Sequence, residues 1–212
     1  MGMDVRMAGL KRVLLVLFCL LGMQGLGSGS SSAAVADPVA AVRETVDAVI
    51  AILQDEKLAA PELKQERRDR VVRIVEQRFD FREMSMRSLA RNWKERSPEE
   101  QERFVQLFKK LLENTYINKI DTYSGEKVVF KKHAVQGDKA IVYSDLVRNN
   151  VETPVNYRLK NSNDTWMVYD VEVEGVSLVN NYRTQFASIL NKENFAALLA
   201  RLEERVSKNL TE

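Results

Sequence analysis

Between Val128 and Glu174 short runs of alternating apolar and polar side chains are separated by turn-forming residues. Val128 and Phe130 begin the pattern, and Gln136-Gly137-Asp138 makes a turn. Ile141, Tyr143 and Val147 share one parity. Val155, Tyr157 and Leu159 alternate with Asn156, Arg158 and Lys160. Asn161-Ser162-Asn163-Asp164 is a second turn, and Thr165–Glu174 reads as a last strand. Side chains alternate faces along a strand. Turns this short join antiparallel neighbours, because a parallel connection needs a crossover of a dozen residues or more. The stretch therefore predicts an antiparallel meander of about four strands. In the last strand Met167, Tyr169, Val171 and Val173 share one face, and Trp166, Val168, Asp170 and Glu172 the other. The first set is apolar apart from one hydroxyl and is expected to face the helices.

Helical spacing flanks this block on both sides. Asp37-Pro38 pairs an N-cap residue with proline at the first helical position. Val39, Val42, Val46, Val49, Ile50 and Leu53 then form one stripe. Past Pro61 the run ELKQERRDR reads as the solvated face of a second helix, with Val71, Val72, Ile74, Val75 and Phe79 on its buried side. Phe81, Met84, Leu89 and Trp93 mark a short third helix. Ser97-Pro98-Glu99-Glu100 is a capping box. It opens a wide apolar face from Phe104 through Phe108, Leu111 and Tyr116 to Ile120, and Gly125 ends the helical region. After Gly175, Ser177 can cap a helix carrying Val179, Tyr182, Phe186, Ile189 and Leu190. A final helix carries Phe195, Leu198, Leu199, Leu202 and Val206. The predicted class is α+β, an antiparallel sheet packed against several helices. One domain is expected over 37–212: helical over 37–124, sheet over 125–175, and C-terminal helices over 176–208.

Residues 1–36 read as a cleaved signal peptide. Lys11 and Arg12 precede the apolar run Val13–Met23, and Ala34-Val35-Ala36 fits a cleavage site. The run is too short to span a bilayer as a helix. Phe18 before Cys19 argues against lipidation, which wants a small residue there. Cleavage after Ala36 would remove Arg6, Lys11, Arg12 and Asp4 from 32 basic and 30 acidic side chains, leaving the two signs equal. A neutral domain lacks the basic footprint of a nucleic-acid binder and the basic bias for anionic membranes. The single cysteine leaves with the leader, so an exported domain must stand on its core alone. These features suit a bacterial periplasm.

Chemistry is sparse. His133 is the sole histidine, and no partner motif surrounds it. Asp170 and Glu172 share a strand face and could form an acid/base pair, but polar strand faces produce such pairs readily. Arg87, Arg91, Lys94 and Arg96 could meet a phosphate or simply solvate a helix end. No metal-ligand set, nucleophile or cofactor motif is present. The reading is a non-enzyme without a cofactor. What remains is apolar surface, which is either packed core or the wall of a cavity between sheet and helices, and periodicity does not separate the two.

The order of segments resembles the MlaC family of periplasmic phospholipid-carrying proteins, first named for toluene tolerance. Three blocks carry the likeness: FDFREMSMRSLARNW at 79–93, SPEEQERFVQLFKKLLENTYINKIDTYSG at 97–125, and WMVYDVEVEGVSLVNNYRTQFASIL at 166–190. The resemblance implies an apolar cavity holding the acyl chains of a phospholipid. It also implies exchange with an outer-membrane lipoprotein partner and with an inner-membrane complex of an MCE-domain protein and an ABC transporter. Parity and stripe arguments place Tyr143, Tyr157, Tyr169 and Val171 on the sheet wall of that cavity, and Phe104, Phe108, Leu111 and Tyr116 on the facing helix. The competing readings are an extracytoplasmic scaffold with no lipid ligand and a small α+β enzyme.

Overall fold

A computed structural model of the protein describes residues 37–117 and 123–208. The signal peptide expected at 1–36, and Ile120, lie outside the described residues. Helix α1 (Pro38–Gln54) begins where expected, because the Asp37 carboxylate accepts the Val39 amide at 2.9 Å. Two short 3-10 turns at Glu56–Ala59 and Pro61–Leu63 lead into α2 (Lys64–Arg78). Of the apolar face predicted for α2 only Val71 is fully buried, and Val72, Ile74, Val75 and Phe79 are half-buried. The charged side chains that dominate α2 leave it a narrow buried edge.

Helix α3 (Phe81–Leu89) is capped by Asp80, whose carboxylate accepts the Glu83 amide at 2.8 Å. It stops at Ala90, so Trp93 lies in a separate 3-10 turn, Ala90–Glu95. Ala90 has φ 51° and ψ −124°, a region that L-residues with a Cβ avoid. Ala90→Gly is expected to raise stability by about 1 kcal/mol, the relieved strain exceeding the entropy cost of glycine. Urea unfolding measures this, and an unchanged or lower midpoint would contradict the strain. The capping box forms in full at the start of α4 (Pro98–Ile117). The Glu100 carboxylate accepts the Ser97 amide at 2.9 Å, and the Ser97 hydroxyl accepts the Glu100 amide at 3.2 Å.

The sheet has the order β1-β2-β3-β4-β5, antiparallel throughout. Its strands are β1 (Lys127–Gln136), β2 (Lys139–Arg148), β3 (Val151–Ser162), β4 (Thr165–Val173) and the two-residue β5 (Val176–Ser177). Positive φ at Asn149-Asn150, Asn163-Asp164 and Glu174-Gly175 makes three tight hairpin turns. The third folds β5 back on β4 before helix α5 (Leu178–Leu190) starts, which adds a strand to the predicted four. Ser177 caps α5 as expected, its hydroxyl accepting the Asn180 amide at 3.0 Å. Helix α6 (Phe195–Lys208) ends the described chain.

Alternation alone misassigns the faces of two strands. In β4, Arg158 pairs with Asp170 but Leu159 pairs with Val168, so Tyr169 is an extra, bulged residue. The bulge switches parity. Trp166 and Val168 join Val171 and Val173 on the inner face, and Met167 does not. The bulge sits where Phe79 pairs with Val168 and the Asp80 amide donates to the Val168 carbonyl at 2.9 Å. In β2 the inner residues are Ala140, Val142, Ser144 and Leu146. Val142 lies opposite Tyr157, and Ser144 opposite Val155. Both parities of β2 carry apolar side chains, so register with β3 decides the matter, and it puts Tyr143 on the other face.

Helix α1 packs on β1 and β2, and α2, α3 and α5 pack against β4. Arg78 at the end of α2 ties three elements together. It donates to the Trp166 carbonyl and the Thr45 hydroxyl, each at 3.0 Å, and pairs with Glu44 at 3.3 Å. One apolar core runs from α1 through the sheet to α6.

Candidate functional site

Most of the residues that sequence parity singled out lie together in the packed core. Phe104, Phe108, Leu111, Tyr157, Tyr169 and Val171 belong to one buried apolar cluster, and Tyr116 packs against it. Tyr143 is excluded. It is half-buried on the opposite face of β2, with the Lys132 ammonium 5.1 Å from its ring centre. The helix half of the cluster differs from expectation in what it meets. Phe104 and Phe108 stack at 5.7 Å between centroids, and Phe186 of α5 stands edge-on to both at 5.4 Å. Tyr182 stands edge-on to Phe108 at 5.0 Å, and Phe195 of α6 lies 6.1 Å from Phe104. The interior is thus built by α4, α5 and α6 together with the sheet. Tyr182, Phe186 and Phe195 stand in the predicted helical stripes, but a stripe does not say which helix it will face. Trp166 is hidden by the bulge, although a tryptophan on a supposedly polar strand face is a signal.

The tyrosine hydroxyls in this interior are held neutral. Burial pushes the Tyr157 hydroxyl well above the ordinary tyrosine pKa, with the Ser144 hydroxyl opposing weakly. Burial also raises Tyr116, and the neighbouring Tyr182 hydroxyl adds to the shift. Tyr182 is raised by burial against the hydrogen bond of Thr115. An interior of this kind presents apolar surface and a few neutral hydroxyls, which suits an uncharged hydrocarbon ligand and not a charged intermediate.

The residues that could have carried catalysis are committed elsewhere. One Asp170 oxygen accepts the Val179 amide at 3.0 Å, and the other accepts the Ser177 hydroxyl at 2.6 Å, so the carboxylate pins the start of α5 to β4. Glu172 accepts from Asn156 at 3.1 Å and Arg158 at 2.8 Å, and the Arg158 bond lowers its pKa. His133 is exposed on β1. Arg87 is bound to Glu83, and Arg96 donates to the Asn92 carbonyl and lies 4.9 Å from the Phe195 ring centre. Among the described residues no group of three histidine, cysteine or acidic side chains could hold a metal ion. No described helix is long and apolar enough to cross a membrane.

Asp170 makes a pH-dependent test. Burial raises its pKa above the ordinary value, outweighing the Ser177 and Val179 donors. A carboxyl raised in the folded state stabilises that state fully below its unfolded pKa, near ~3.9, and loses this contribution as pH rises through the folded value. Asp170→Asn does not titrate. Relative to the native protein it is therefore expected to become more favourable as pH rises through that window, measured by urea unfolding at successive pH values. A stability difference that is flat with pH would contradict the assignment.

A groove of about 440 Å³ runs between α5 and α6. Phe186, Ile189, Leu198 and Leu202 contribute its apolar lining, and Lys192, Glu193, Arg201, Glu204, Arg205 and Lys208 its charged lining. Phe186 belongs to both the groove and the aromatic cluster.

Fold and site together define an α+β domain with an aromatic, apolar interior and no catalytic constellation among the described residues. The MlaC protein family profile matches residues 43–204, and the chain belongs to that family. One relative is the intermembrane phospholipid transport system binding protein MlaC of Haemophilus influenzae. It is 25% identical over 122 residues, which are 55% of this chain and 57% of that protein. Toluene tolerance protein ttg2D of Pseudomonas putida is 32% identical over 98 residues, 45% of this chain and 46% of that one. The matches thus span about half the length of these curated relatives. A solved structure of the phospholipid-binding protein of Ralstonia solanacearum, in complex with a phospholipid, superposes with a TM-score of 0.72 at 28% identity. The match covers 82% of this chain and 99% of that one.

Proposed function

We propose that this protein carries phospholipid through the periplasm, between outer-membrane and inner-membrane components of an ABC-type lipid transport system, and so maintains outer-membrane lipid asymmetry. The observation that carries this reading is the likeness, over nearly the whole of that chain, to a protein solved with phospholipid bound. The apolar interior shared by sheet and helices supports it. The carrier acts by binding and release, not catalysis. Its partners are an outer-membrane lipoprotein and an inner-membrane MCE-domain protein with its ABC transporter, which supplies the energy.

The physical need for such a carrier is large. Two acyl chains of roughly 30 methylenes cost on the order of 24 kcal/mol to expose to water, at about 0.8 kcal/mol each. A lipid with that barrier requires a dry container and direct docking at each end. In this reading the acyl chains lie against the inner face of β2–β4 and the aromatic cluster of α4–α6. The charged head group stays outside, since the inner sheet face from Ala140 to Val173 offers no cation. The test is uptake: delipidated protein mixed with phospholipid vesicles and re-isolated should hold lipid in molar amount. Folded protein that returns empty would overturn the reading.

A further inference from the structure

We propose that the acyl chains of the carried lipid pass between α5 and α6, and that Lys192 and Arg205 hold its phosphate at the mouth of the groove there. The proposal rests on the lipid-carrier reading and deepens it. The groove is open to solvent, and its volume of about 440 Å³ lies within the usual range for a small-molecule site. Its floor is made by Phe186, Leu198 and Leu202, none more than 2% exposed. These side chains belong to the same apolar core as the sheet wall. Phe186 stands edge-on to Phe104 and Phe108, so one layer of side chains separates the groove from the aromatic cluster.

The way α6 is held marks this seam as the one that opens. Glu203 of α6 pairs with Arg103 of α4 at 2.7 Å, and Asn114 of α4 donates to the Val206 carbonyl at 3.0 Å. Phe195 rests on Phe104, also of α4. Arg201 pairs with Glu193 of the turn that joins α5 to α6, at 2.5 Å. None of these ties crosses to α5, so the two helices can part along the groove while α6 stays hinged on α4. Charge then selects the head group. Arg201 is neutralised by Glu193, and Lys208 by Glu204. Lys192 and Arg205 line the groove, are exposed, and enter no ion pair among the described residues. Lys192 follows α5 and Arg205 lies on α6, so a phosphodiester between them would bridge the seam with charge-assisted hydrogen bonds. The Arg205 charge also acts on the buried Tyr182 hydroxyl, which places it beside the aromatic cluster. A phosphate held there would leave its acyl chains next to the floor, and the inner sheet face offers it no cation.

The test has two arms, each using delipidated protein and vesicles. The first compares native protein, Ser188→Trp and Thr184→Trp for the rate of phosphatidylglycerol uptake. Both positions are exposed on α5, but only Ser188 lines the groove. Ser188→Trp is expected to take up lipid roughly tenfold more slowly, since the added ring must be displaced from the seam, and Thr184→Trp at the native rate. The second arm compares retention of phosphatidylglycerol with that of a diacylglycerol of the same chains. The double variant Lys192→Gln/Arg205→Gln is expected to lose about fivefold of the native preference for the phospholipid, the worth of two exposed ion pairs, with diacylglycerol retention unchanged. Native uptake by Ser188→Trp, or equal slowing by Thr184→Trp, would overturn the route. An unchanged lipid preference in the double variant would overturn the phosphate site. If native protein takes up neither lipid, the carrier reading itself fails, an outcome distinct from these because it appears before any substitution is made.

Discussion

Phe108→Ala is expected to lose about 3–5 kcal/mol of folding stability, a large share of the ~5–15 kcal/mol that holds a domain together. Phe108 is fully buried and meets rings from its own helix and from α5. Tyr182 and Phe186 approach it edge-on, with interplanar angles of 73° and 80°, and Phe104 stacks beside it. The truncation removes the transfer energy of the ring and leaves a cavity that the surrounding elements would have to close. Edge-to-face pairs add about 0.5–1.5 kcal/mol beyond burial, so the loss should lie in the upper half of the range. Phe108→Leu retains most of the volume and is expected to cost roughly 1–2 kcal/mol. Urea unfolding of the two variants checks the ordering. A loss under about 1 kcal/mol for the alanine variant would mean that α4 is not held by this cluster.

Arg87→Ala is expected to cost about 2–3 kcal/mol, because it strands a buried carboxylate. The Glu83 side chain is 9% exposed and accepts two bonds from Arg87 through one oxygen, at 2.9 and 2.6 Å. Its other oxygen has only the Lys160 ammonium at 3.4 Å. The Arg87 guanidinium also lies 3.9 Å from the ring centre of Tyr169, and its carbonyl accepts from Arg183 of α5 at 2.8 Å. One side chain thus links α3 to the bulge of β4. The pair between Arg103 and Glu203 is as short, at 2.7 Å, and joins α4 to α6, yet both side chains are about half exposed. Arg103→Ala is therefore expected to cost about 0–1 kcal/mol, since solvent screens an exposed pair and its side chains lose entropy to form it. Equal losses at Arg87 and Arg103 would show that burial does not set the strength of these two pairs.

Local signals were legible in the sequence. The caps at Asp37, Ser97 and Ser177 form as their residue types dictate, because an N-cap is completed within three or four residues. The meander was legible for the same reason: turn residues and alternation fix antiparallel neighbours without knowledge of the rest of the chain. Features that depend on distant partners were not. The extra residue at Tyr169 is set by how β4 meets Phe79 and β3, and nothing in the local pattern announces it. Alternation within β2 allows Tyr143 to point inward, but pairing of Val142 with Tyr157 turns it out. For the candidate site, seven of the eight predicted residues reach the common core, since the apolar stripes that name them are strong. The wall formed by Tyr182, Phe186 and Phe195 required knowing how three helices cross.

The most direct test is native mass spectrometry and lipid extraction of the protein purified without delipidation. Bound phospholipid is expected in molar proportion to protein, released on denaturation and absent from an unrelated protein handled in parallel. Folded protein that yields no phospholipid above that control would contradict the central claim.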